Sequence, residues 1–147
     1  VTAFTIGHSI TLALAALDVV AFRSEIIEFL IPVTIFITAL YNVFKREAAA
    51  QKVMWNYILA LAFGLIHGLG FSNYFRSLLG REESIIQPLL AFNVGVELGQ
   101  LIIVAIVLGI GYLVMNIFNA KQRSWNLFVS GAAAGIAFVL MTETVFW

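Results

Sequence analysis

His8, His67 and Glu97 sit in stretches that are otherwise almost unbroken hydrocarbon, each in a different apolar segment, and the two histidines are the only ones in the chain. An ionisable group inside a membrane is costly, so it faces the interior of a bundle or a cavity and marks a site or a pathway. Imidazole and carboxylate are also ligands for divalent transition metals: imidazole suits Ni, Zn, Cu and Fe, and a carboxylate adds the negative charge a buried dication needs. Three chemistries fit these residue types. The triplet can ligate a metal, Glu97 can serve as a protonation site within a polar network, or the histidines can be neutral hydrogen-bonding groups that hold helices together. No HxxxH or HExxH spacing is present, so local spacing does not choose among them.

The neighbours of the triplet sharpen its geometry. Asn93, Glu97 and Gln100 follow an i, i+4, i+7 spacing and share one helix face. Lipid offers such a stripe no hydrogen-bond partner, so it points inward. Thr5, His8 and Thr11 share a second face, with Ser9 beside them. Asn93, Gln100, Thr5, Ser9 and Thr11 are therefore expected to support the ligands or to line a polar pathway. Gly64 and Gly68 bracket His67, and Gly95 and Gly99 flank Glu97. Small residues four apart let a neighbouring helix approach closely. Gly131 and Gly135 repeat the pattern in the last segment, which has no ionisable residue before Glu143 and looks like packing.

The elements that must position these residues are membrane helices. Of 147 residues, 62% are hydrophobic and 11% charged, and mean hydropathy is +1.01. A bilayer core takes about 20 mostly apolar residues per helix. The chain therefore has length for about five crossings, as one all-α polytopic transmembrane helix bundle with no soluble enzyme module. The net charge of zero gives no electrostatic case for nucleic acid, and the lack of cysteine removes disulfides, thiolate metal sites and cysteine nucleophiles. The apolar segments run over about 1–22, 26–44 (with Pro32 as an expected kink), 53–75, 85–118 and 125–147. Val1 already lies inside an apolar run, so a further helix is expected upstream.

Short polar links between the segments imply antiparallel neighbours. Lys45, Arg46, Lys52, Lys121 and Arg123 fall on one side of the membrane, and Arg23, Arg76 and Arg81 on the other. The basic excess places the first side in the cytoplasm, with the chain start inside and its end outside. His67 then lies roughly 22 Å from the cytoplasmic end of its helix and Glu97 roughly 20 Å from the outer end of its own. Both are near mid-membrane, and His8 reaches the same layer if its helix extends upstream. Asp18 and Glu143 fall at outer helix ends, either solvated or attracting cations to a vestibule. Trp55, Trp125, Tyr74 and Trp147 fit interfacial anchoring, and the many Phe residues read as packing or lipid-facing groups.

The segments FTIGHSITLALAAL (Phe4 to Leu17), FGLIHGLGF (Phe63 to Phe71) and FNVGVELGQ (Phe92 to Gln100) closely resemble the HupE/UreJ family of bacterial membrane proteins. The resemblance implies a hydrogenase or urease accessory function, with some members regarded as nickel or cobalt permeases. It places His8, His67 and Glu97 at motif positions, with Asn93 and Gln100 alongside. It also implies an earlier helix carrying a histidine and an Asp-His pair, for which this chain has no equivalent.

The leading expectation is a multi-pass protein of the bacterial inner membrane. It would be a transition-metal permease, of Ni²⁺ type, or a metal-binding accessory protein. Alternatives are an intramembrane metalloenzyme using Zn²⁺ or Fe²⁺ at the same residues, and a non-catalytic assembly subunit. The expected partners are the lipid bilayer, a metal cation, and either a second copy of the chain or hydrogenase and urease maturation proteins.

Overall fold

Aliphatic and aromatic side chains on every face leave the backbone polar groups one way to be satisfied in lipid, within the helix itself. In the computed structural model, which describes residues 1–20, 23–45, 53–72, 74–75 and 85–144, five helices account for nearly all of the described chain. They are α1 (Thr2–Ala16), α2 (Ser24–Phe44), α3 (Val53–Gly70), α4 (Ile86–Ile117) and α5 (Gln122–Glu143), and no strand occurs among the described residues. By length and composition, α2, α4 and α5 can each cross a membrane, whereas α1 and α3 are shorter apolar helices. Arg46, Lys52, Arg76, Arg81 and Trp147, used above for topology and anchoring, lie outside the described residues.

The first helix stops well short of Phe22. Asp18 takes a left-handed conformation, φ 58°, which Asp tolerates better than most residues. The Asp18 N–H bonds back to the Ala15 carbonyl at 3.1 Å and the Val19 N–H to Leu14 at 3.0 Å. This paired closure is a Schellman motif. Asn119 does similar work after α4, at φ 51°. Beyond the end of α3, expected near Phe75, helical bonding recurs between the Phe75 N–H and the Phe71 carbonyl, at 2.9 Å.

The helices close into a ring in the order α1, α3, α2, α5, α4 and back to α1, with the most extensive contacts in the α1–α3 and α2–α5 pairs. Neighbours in space are thus not always neighbours in sequence. α1 and α3 run parallel: Gly64 meets Phe4 and His8, and Gly68 meets His8 and Thr11. A Cβ at Gly7, Gly64 or Gly68 would collide with backbone of the facing helix, so all three glycines are needed for this approach. Gly95 and Gly99 differ from expectation: a Cβ at either would meet nothing within 4 Å, and the same holds for Gly131 and Gly135. α4 touches the ring only lightly, and residues 101–110 are all exposed. Its contact with α5 includes Gly111 against the Trp125 indole.

At the same end of α5, Arg123 ties two helices together. Its guanidinium donates to the Lys45 carbonyl at 2.9 Å, Val43 at 2.6 Å and, more weakly, Asn42 at 3.4 Å. These belong to the unsatisfied carbonyl end of α2, where a cation is also favoured by the helix dipole.

Candidate functional site

The tight α1–α3 seam fixes both histidines. His8 is 2% exposed, one of the most buried large side chains among the described residues, and His67 is half-buried. The Phe4 ring lies between them, its centroid 6.1 Å from His8 and 5.2 Å from His67. Phe71 and Phe92 complete an aromatic collar around His8, at 5.8 and 6.0 Å.

Each imidazole is held through Nδ1. In His67 this atom bonds the Phe63 carbonyl at 2.8 Å, and in His8 it faces Asn93 Oδ1 at 3.4 Å. A backbone carbonyl can only accept, so Nδ1 of His67 carries the proton and its Nε2 keeps the lone pair; His8 has the same arrangement when the Asn93 amide oxygen accepts from its Nδ1. A second hydrogen bond that fixes tautomer and ring orientation is the usual arrangement for a metal-binding histidine.

Asn93 belongs to the α4 stripe, and the stripe does face α1. The Thr2 hydroxyl donates to Glu97 Oε1 at 2.9 Å. Together the pairs His8–Asn93 and Thr2–Glu97 run in opposite chain directions, so α4 is antiparallel to α1. Thr2 and His8 are six residues apart, or about 9 Å along the helix. Glu97 thus sits at a different level from His8. Among the described residues, no three His, Asp or Glu side chains close into a metal-binding group.

The remaining polar residues divide. Ser9 and Thr11 donate to carbonyls of their own helix, Ser9 to Thr5 at 2.7 Å and Thr11 to Gly7 at 3.2 Å and His8 at 3.3 Å. Among the described residues, Thr5 Oγ1 and Gln100 Oε1 are buried and find no hydrogen-bond partner. A buried orphan polar atom is uncommon and calls for water, an ion or a ligand.

The family model described as HupE / UreJ protein matches residues 1–147, the whole chain. The chain belongs to the HupE/UreJ family. No curated protein and no solved structure matches it. In this HupE/UreJ chain, the three sequence segments quoted above are brought together by the fold: Phe4 and His8, His67 and Phe71, and Phe92 and Asn93 form one cluster. Sequence reasoning treated the phenylalanines as packing and missed the collar. A usable signal was present, since Phe4 precedes His8 by four residues and Phe71 follows His67 by four, which puts each on its histidine's face.

Proposed function

We propose that this HupE/UreJ protein moves or holds a divalent transition metal within the membrane, as a permease of Ni²⁺ type. The observation that carries the reading is the placement of the two imidazoles: Nδ1 of each lies beside an oxygen, the Phe63 carbonyl for His67 and Asn93 Oδ1 for His8, and with Nδ1 as donor both Nε2 atoms are available to ligate. The buried, unpartnered oxygens of Thr5 and Gln100 support it as further sites for an ion or its water. His8 and His67, on either side of the Phe4 ring, are two nitrogen stations, and Glu97, held by Thr2, is an oxygen station more than a helical turn from His8 along α1. An ion passing between nitrogen and oxygen stations never meets a closed, high-affinity cage, and a permease must release what it binds. The basic end of the bundle, carrying Lys45, Lys121 and Arg123, faces the cytoplasm of a bacterial inner membrane on this reading.

Metal analysis of the purified protein beside a His67→Ala variant is the first test. Wild type should retain bound metal and gain thermal stability with added Ni²⁺, and the variant should lose both effects. Wild-type protein with neither would remove the basis for the reading. Uptake into proteoliposomes then separates a permease from a metal-holding accessory protein: metal-loaded protein that supports no uptake is not a permease.

A further inference from the structure

The stripe on α4 has a counterpart on α2. Thr34, Thr38 and Asn42 are spaced i, i+4, i+8 and, with Ser130 of α5 and His67 of α3, contribute the polar groups of an otherwise mostly apolar cavity of about 340 Å³, with Asn42 exposed at its edge. One water requires only ~10–15 Å³ of such space. The Thr34 and Thr38 hydroxyls donate to the carbonyls of Ile31 at 2.7 Å and Thr34 at 2.8 Å, which leaves their lone pairs available to water. A second cavity of about 1250 Å³ lies at the basic end of the bundle, with Lys45, Lys121 and Arg123 in its wall. The two cavities share Asn42, Val129 and Ser130.

We propose that these joined cavities form a water-filled half-passage that connects His67 to the basic end of the bundle, walled by the Thr34, Thr38 and Ser130 hydroxyls and the Asn42 amide. The hydroxyls, the amide and the imidazole, set among the apolar side chains of Phe4, Phe63 and Val129, give water the two to four polar partners it needs without fixing a charge. Its occupants are water and, resting on the metal-handling reading above, the hydrated dication that leaves His67. Positive charge at the mouth lowers the local concentration of cations, so this end suits release rather than capture. The Arg123 guanidinium is engaged by three carbonyls of α2 and holds the mouth's two helices together.

The absence of native cysteine makes the test direct. Thr38→Cys, Ser130→Cys and the outward-facing control Ile37→Cys (Ile37 is 59% exposed) are made singly in the full chain. They are treated in membrane vesicles of each orientation with a small, charged, membrane-impermeant thiol reagent. A thiol reacts as thiolate, which forms in water and not in lipid. Thr38→Cys and Ser130→Cys should react at least about tenfold faster than Ile37→Cys, and only from the side bearing Lys45 and Lys121. Rates no faster than the control for both, or equal access from both sides, would overturn the passage. Repeating the Ser130→Cys reaction with Ni²⁺ keeps the two ideas apart. Slowing by Ni²⁺ that disappears in a His67→Ala background supports metal transit, whereas fast, one-sided labelling untouched by Ni²⁺ upholds the aqueous passage and counts against the metal.

Discussion

Asn93 shows how a neutral side chain can govern the behaviour of an ionisable one. It reaches across from α4 to His8 Nδ1 at 3.4 Å, and by accepting a proton from Nδ1 it favours the tautomer whose Nε2 is bare. The surrounding rings of Phe4, Phe71 and Phe92 offer the imidazole shape and no competing acceptor. On the metal-handling reading, Asn93→Leu should weaken Ni²⁺ binding by about 10–100-fold, the range seen when a partner behind a metal-binding histidine is lost. Asn93→Asp, which keeps an acceptor, should recover most of it. Calorimetric titration checks both, with unfolding in detergent as the control for fold; Asn93→Leu protein that binds as tightly as wild type would detach Asn93 from the site. Metal binding should also fall as pH is lowered, since a proton competes for the same Nε2 lone pair.

Helices α1 and α3 carry the residues, and glycine decides how closely they can bring them together. Gly64 and Gly68 face α1 backbone with no space for a side chain, and Gly95 and Gly99 face open space on α4. Gly64→Leu should therefore force α1 and α3 apart, destabilising the protein by about 1–3 kcal/mol or more as overpacking does. Gly99→Ala should be neutral or stabilising by about 0.5–1 kcal/mol, because alanine is the better helix former and meets nothing. Thermal unfolding in detergent distinguishes the two, and equal destabilisation would contradict the contact pattern. Both glycine pairs have the same spacing in sequence. A small-xxx-small pair only permits close approach; whether a helix arrives depends on the rest of the bundle.

At the scale of the whole molecule, the five described helices form a ring that carries a few polar groups, Thr34, Thr38, Ser130 and His67, among apolar ones on the α2, α3 and α5 side, and whose outside is hydrocarbon. Among the described residues few apolar side chains are buried: Leu12, Ala15, Ile27, Ala39, Phe75 and Ala137. Long runs such as 101–110 present aliphatic groups outward, as a chain solvated by lipid should. If the basic end faces the cytoplasm, a single cysteine at the exposed Lys121 should react with an impermeant thiol reagent in inside-out vesicles and not in intact spheroplasts. The opposite result would invert the orientation. Sequence by itself determined the material of this protein: apolar segments that must be helical in lipid, and the few costly residues, His8, His67 and Glu97, that must turn away from it. It could not locate the end of α1, which depends on a left-handed Asp18. Nor could it give the ring order that sets α1 beside α3, or show that Thr34 and Thr38 line a cavity with His67. Spacing along one helix fixes which residues share a face, and only the packing of the other helices decides what that face meets.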